Sequence, residues 1–148
     1  MSIYSENKKA YFNYEILEKF EAGLELKGHE VKSIKSGKAN IAGAYAAIRG
    51  GEIYLLGSRV PPYQQNNIKE DYDPERIRKI LIKKEEIEYL VGRLQTERLT
   101  LIPLKLYNKR NLVKIELGLG KSKRKGDKRE VIKKRETDRE ILRKLKRE

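Results

Sequence analysis

The chain has 148 residues, with 35 Lys or Arg against 22 Asp or Glu, one His, no Cys and no Trp, for a formal net charge of +13. Without cysteine there is no disulfide, no thiolate zinc site and no cysteine nucleophile. No apolar run approaches the ~18 residues of a membrane span, and MSIYSENKK at the start lacks an apolar signal region, so a soluble cytoplasmic protein is expected.

In chain order, the first clear element is FEAGLELKG. Phe20, Ala22, Leu24 and Leu26 alternate with Glu21, Glu25 and Lys27, the pattern of a half-buried strand. HEVKSIKSGKAN follows, with Val31 and Ile34 one turn apart and Gly37 suited to a left-handed cap, which predicts a short helix. AYAAIRGGEIYLL reads as a hairpin whose turn is Gly50-Gly51. VPPYQQNNIKEDYDP is rich in Pro, Asn and Asp and predicts a long loop. RKILIKK is a short apolar strand leading into a helix, since Ile87, Leu90, Val91 and Leu94 follow the i, i+3, i+4, i+7 spacing behind Glu85 and Glu86. LTLIPLKLY and LVKIELGL flank NKRN as a last hairpin, with Pro103 marking an edge or a bulge.

Hairpins with two inserted helices and no βαβ rhythm predict a mainly β fold. Six or so short antiparallel strands point to a closed barrel of the oligonucleotide-binding type over residues 1–120. Residues 121–148 differ in kind. They hold fourteen Lys or Arg against six Asp or Glu, so +8 of the +13 lies there. Val131, Ile141, Leu142 and Leu145 would share one narrow helical stripe, too thin to bury against a barrel. This basic tail is expected to be disordered alone and helical on a partner.

Catalysis finds no support. His29 stands alone and is expected to be a solvated or helix-capping side chain. Glu85 and Glu86 compensate a helix dipole, and no phosphate-loop or GxGxxG spacing is present, GLGK included. No enzyme, metal or cofactor is expected. An isoelectric point near 9.8 makes nucleic acid the first partner to consider and an anionic membrane the second. A membrane helix is disfavoured because the tail stripe is narrow and carries no Phe or Trp. Eight of the nine tyrosines (residues 11, 14, 45, 54, 63, 72, 89 and 107) are scattered through the lysine-rich body. Each either stacks on a base or, the commoner case, plugs the barrel wall with its hydroxyl at the rim.

Specific strings then narrow the class. NKKA (Asn7–Ala10), EAGLELKGHEVKSIKSGKAN (Glu21–Asn40), RIRKILI (Arg76–Ile82), LTLIPLKLY (Leu99–Tyr107) and DKR (Asp127–Arg129) occur in this order over nearly the whole chain. Together they resemble the SmpB family, the SsrA-binding proteins of bacteria. The resemblance implies an oligonucleotide-binding barrel gripping the tRNA-like domain of transfer-messenger RNA (tmRNA) and delivered with elongation factor Tu, which it meets through the RNA. It implies docking as a monomer in the empty A site of a stalled 70S ribosome, with the basic tail in the 16S rRNA decoding centre and then helical along the vacant mRNA channel. The stalled peptide would be tagged for degradation and the ribosome rescued.

By the same resemblance, Asn7, Glu21 and Leu81 fall on positions important for tmRNA binding. Lys8, Lys9, Lys32, Lys35, Lys38, Asn40 and Lys79 would add phosphate and sugar contacts. A carboxylate is unusual on such a surface, so Glu21 would accept from base N–H groups or sugar hydroxyls, or orient a neighbouring lysine. In the tail, Lys121, Lys123, Arg124, Lys125, Asp127, Lys128 and Arg129 would meet the decoding centre, with Ile141, Leu142 and Leu145 as apolar anchors in the channel. The chain departs from the family at Gly126, where His or an aromatic is common. The IKEDYDP loop is also one residue longer, and the tail lacks the tryptophan of some relatives. The competing expectation is a non-specific single-strand RNA-binding or ribosome-associated barrel protein.

Overall fold

The computed structural model describes residues 2–64, 71–123 and 139–145. Its strands are β1 (Ile3–Glu6), β2 (Tyr14–Leu24), β3 (Tyr45–Arg49), β4 (Glu52–Leu56), β5 (Arg78–Leu81), β6 (Thr100–Lys109) and β7 (Leu112–Ser122). Its body helices are α1 (Lys8–Asn13), α2 (Gly28–Lys35) and α3 (Lys84–Glu97). Residues 139–145 are helical and are labelled α4. Every ladder is antiparallel, in the order β1-β6-β7-β2-β5-β4-β3. Among the described residues no helix is long and apolar enough to cross a membrane.

The two expected hairpins and two expected helices are present. Gly50 and Gly51 take φ of 60° and 77°, as a two-residue turn requires. The NKRN turn achieves the same with Arg110 and Asn111, at φ 52° and 65°. Pro103 sits at a register shift between β6 and β7, so it marks a bulge; β6 is not an edge, because β1 covers its other side. Helix α1 and strand β1 were not expected. In six residues α1 buries only Ala10, which leaves no periodic signal to read.

The expected closed barrel is not made by strand pairing. The order begins at β1 and ends at β3, and no ladder joins those two among the described residues. β1 has four residues and pairs with β6. It meets the segment ahead of β3 through a side chain, the Ser5 hydroxyl accepting the Ile41 N–H at 3.0 Å. The result is an antiparallel sheet with bulges in β1, β2 and β6, each of which increases local twist.

The inner face holds the core. Ala22 and Leu24 of β2, Ile53 and Leu55 of β4, Ile80 of β5 and Val113, Ile115, Leu117 and Leu119 of β7 are buried together. Ile34 of α2 and Ile87 and Leu90 of α3 cover them. Burying each of the Val, Leu and Ile side chains among them contributes about 1.5–3 kcal/mol.

A charged knot locks α2 to β5. Glu30 is fully buried, and its carboxylate accepts from Arg76 Nη2 at 2.6 Å, Arg78 Nη2 at 2.6 Å and the Lys27 amide at 2.8 Å. Tyr72 adds its hydroxyl at 3.1 Å, and Arg78, also fully buried, reaches Ser58 Oγ at 3.0 Å. Burial alone would raise the Glu30 carboxyl. The hydrogen bonds from Arg76 and Lys27 and the charge of Arg78 outweigh it and hold its pKa down at about 2. Burial, partly offset by Arg78, pushes the Tyr72 phenol up to about 12. His29 packs its ring edge-on against Tyr72, centroids 4.6 Å apart, instead of capping a helix.

The tail boundary also moves. β7 continues through Lys121 and Ser122, which pair with Glu15 and Tyr14. The thin stripe does bury at one point: Ile141 has no exposed surface and packs with Leu56 and Ile77. A single β-branched side chain fills this patch, so the width of the stripe does not decide the matter.

Candidate nucleic-acid interface

Residues that alternate with the core form the outer face of the sheet. The ladders align Glu21 with Glu116 and Lys105, Gly23 with Lys114 and Tyr107, and Gly23 again with Leu81. Glu21, Lys105, Lys114, Tyr107 and Leu81 are therefore neighbours on one surface spanning β6, β7, β2 and β5. Gly23 lies between Leu81 and Lys114 on that surface. A Cβ there would stand 3.6 Å from Leu81 Cβ and 3.9 Å from Lys114 Nζ.

Glu21 is the centre of this face. Its carboxylate accepts the Tyr107 hydroxyl at 2.6 Å and Lys109 Nζ at 3.1 Å on both oxygens. The Tyr107 hydrogen bond, then that of Lys109, holds its pKa below the usual carboxylate value. The side chain is still 40% exposed. Of the roles expected for Glu21, orienting a lysine is the one the geometry displays. Tyr107 is buried, with its hydroxyl used inside the protein, and Lys105 lies 5.6 Å over its ring. Leu81 is 46% exposed beside it, an apolar spot open to a base or sugar.

Helix α1 packs on the same outer face. Ala10, Ile102 and Leu104 form a small buried cluster with Tyr14 and Ile16. Gly118 and Gly120 of β7 make room for it: a Cβ on Gly118 would lie 2.9 Å from Leu104 Cδ1, and one on Gly120 2.8 Å from Ile102 Cδ1. Asn7, only 4% exposed, pins the start of α1 by donating its side-chain N–H to the Pro103 carbonyl at 3.1 Å and its backbone N–H to Leu104 at 2.8 Å. Asn7 thus positions the exposed Lys8 and Lys9 and does not present its own amide. Lys19 links α1 to the face, 5.5 Å over the Tyr11 ring and 3.5 Å from Glu116.

Of the two α2 lysines, Lys35 reaches the tip of the β6–β7 hairpin. Lys35 donates to the Asn111 carbonyl at 2.7 Å, one turn from Lys109. Lys32 is exposed, and Lys38 donates to the Tyr63 carbonyl at 3.1 Å with its ammonium over that ring. Asn40 is bridged to Arg59, and its side-chain oxygen accepts the Ala42 N–H at 2.8 Å. Lys79 is on the outer face of β5, two residues from Leu81, and ion-paired with Glu52 at 3.5 Å.

The residues assigned to the decoding centre divide. Lys121 and Lys123 belong to the body: Lys121 is in β7, and Lys123 Nζ donates to the Tyr11 carbonyl at 3.0 Å, beside α1. Arg124, Lys125, Asp127, Lys128 and Arg129 lie outside the described residues. Ile141 is buried on the body, and Leu142 and Leu145 are 40% and 39% exposed.

The sequence reading does not single out Lys19 of β2, Lys105 and Lys109 of β6 or Lys114 of β7; their signal is the parity that sets them opposite the core residues of the same strands. The sequence reading also misses the buried knot. Arg78 shares its face with Ile80, and Glu30 shares its face with Ile34 four residues on. Opposite charges at core-facing positions were the available signal. Among the described residues no group of three or more His, Asp or Glu is arranged to hold a metal.

The family model described as "SmpB protein" matches residues 4–147. The chain is 50% identical to the SsrA-binding protein of Carboxydothermus hydrogenoformans, covering 94% of this chain and 93% of that one. It is 47% identical to that of Thermosipho africanus, covering 99% of both chains. With that of Synechocystis the identity is 45%, over 99% and 96%. A solved chain described as "tmRNA-SmpB: a journey to the center of the bacterial ribosome" superposes with a TM-score of 0.63 at 41% identity, covering 87% of this chain and 94% of that one.

Proposed function

The chain belongs to the SmpB family, and from that premise we propose that it is the tmRNA-binding protein of trans-translation in a bacterial cytoplasm. The curled sheet acts as an oligonucleotide-binding-type platform. Its outer face on β6, β7, β2 and β5, with α1, grips the tRNA-like domain, and elongation factor Tu joins through the RNA. The complex then enters the empty A site of a stalled ribosome as one copy. The tail reaches the decoding centre and the mRNA channel, so that the stalled peptide is tagged and the ribosome released. The protein binds and positions; no catalytic step is assigned to it.

One observation carries this reading: Glu21 and Leu81 lie on one surface ringed by Lys19, Lys105, Lys109 and Lys114. Lysines supply phosphate attraction that is indifferent to sequence. A carboxylate aligned by Tyr107 and Lys109, beside an apolar leucine, supplies acceptors and a contact that only a shaped RNA can match. The tail supplies charge where codon pairing is missing.

The test is a tmRNA gel shift with excess tRNA as competitor, run beside a reconstituted translation reaction on an mRNA without a stop codon. A chain ending after Lys123, which leaves β7 and its contacts to α1 intact, should keep tmRNA selection and lose tagging. Displacement of tmRNA by tRNA, or normal tagging by the shortened chain, would support the plain RNA-binding alternative.

A further inference from the structure

Strands β3 and β4 have an apolar outer face that the RNA grip does not use. Tyr45, Ala47, Tyr54 and Leu56 alternate there with the core residues, and α4 is seated on them. Ile141 of α4 is wholly buried against Leu56 and Ile77, with Tyr45, Ala47 and Tyr54 around it. Polar contacts frame the seat. The Tyr45 hydroxyl donates to Glu140 Oε2 at 3.2 Å, and Lys144 Nζ donates to the Glu75 carbonyl at 3.3 Å while lying 3.5 Å from Glu140 Oε1. Tyr54 pairs with Lys79, so the seat adjoins the proposed RNA face by one strand.

We propose that this face is a docking seat for the chain's own C-terminal helix, which rests there in the free protein and leaves it on the ribosome. The seat stands on the contacts above; the departure rests on the tail role proposed in the preceding section. Ile141 cannot be buried among Leu56, Ile77 and Tyr54 and at the same time pack along a channel, so the two positions exclude each other. The occupant is this segment because the complementarity is already on both sides: an apolar plug in an apolar hollow, a tyrosine hydroxyl facing Glu140, and a backbone carbonyl facing Lys144. A hold through one fully buried side chain and a few polar contacts at its rim is weak, as a releasable store requires. It would also shield part of the apolar stripe from other partners before the ribosome is reached.

Amide exchange on the full-length free protein tests the seat. Residues 139–145 should exchange about tenfold or more slowly than an unstructured peptide. Ile141→Ser and Ala47→Glu, the second placing a carboxylate beneath Ile141 on a half-exposed edge strand, should each abolish that protection while β2 and β7 amides keep theirs. Random-coil exchange at 139–145 in the unaltered chain would overturn the seat. So would protection that disappears on dilution, which would make the occupant a second copy. Because the chain has no cysteine, spin labels at Arg49→Cys and Arg143→Cys report the departure. The pair should be close in the free protein and far apart on a stalled ribosome with tmRNA; an unchanged short distance there overturns release. If Ile141→Ser loses protection yet tags normally, the seat stands and the channel role of the tail falls.

Discussion

Two carboxylates of this body are held by a tyrosine hydroxyl together with cations, two arginines in one case and one lysine in the other. Glu30 has Arg76, Arg78 and Tyr72, with no exposed side-chain surface. Glu21 has Lys109 and Tyr107, with 40% exposed. The chemistry is nearly the same and the solvent is not. Buried, every lone pair must be satisfied within the protein, so the guanidinium forks of arginine are used and the cluster becomes part of the fold. At the surface, lysine suffices, one side of the carboxylate stays open, and the cluster can exchange an internal partner for an external one. Burial therefore separates the carboxylate that holds the molecule together from the one that can recognise something.

The largest expected effect breaks the buried member. Arg78→Met would leave Glu30 buried with one arginine fewer and Ser58 and Tyr72 short of a partner. It should cost about 3–5 kcal/mol of stability, read as a lower urea midpoint. A loss no larger than that of an exposed arginine would mean that the knot is wetter than its geometry shows.

Acid should sharpen the contrast next. The folded pKa of Glu30, about 2, lies below the ~4.3 of an unfolded glutamate. Its contribution is thus complete above ~4.3 and is lost as pH falls toward about 2. Stability measured from pH 6 to pH 2 should fall less steeply in Glu30→Gln than in the unaltered chain, from a lower starting value. Parallel curves would assign the acid limb to other carboxylates.

Glu21→Ala inverts the pattern. Folding should change little, while specific tmRNA binding weakens by about tenfold, although the protein becomes more positive. A purely electrostatic grip predicts tighter binding instead. Equal or tighter specific binding in a gel shift would remove Glu21 from the recognition surface.

The smallest effect tests the coupling within the exposed cluster. Tyr107→Phe removes one hydrogen bond and should cost about 0.5–1.5 kcal/mol. The Glu21 pKa should rise toward its ordinary value, because the Tyr107 hydroxyl is the main influence lowering it. Carboxyl-resolved NMR titration reads this directly, and an unmoved Glu21 would show that Lys109 and Lys114 set its charge state without the tyrosine.

The sequence by itself determined which residues alternate and which recur each turn. Period-two patterns in FEAGLELKG and LVKIELGL and the i, i+3, i+4, i+7 spacing of the Ile87 helix depend only on neighbours, so strands, hairpins and two helices were legible. So were the concentration of charge after Lys121 and the strings shared with a family. Tertiary structure decided what no local pattern carries. Whether the sheet closes depends on what β1 and β3 meet at the two ends of the order, and Ser5 answers that with a side chain. Helix α1 has a seat because Ala10 packs on Ile102 and Leu104, whose side chains lie in the space that Gly118 and Gly120, more than a hundred residues away, leave open. Whether Ile141 is an exposed stripe or a buried plug depends on a hollow between Leu56 and Ile77. The roles of Glu21 and Glu30 were set in the same way: each is one glutamate among many until the fold assigns its partners and its access to water.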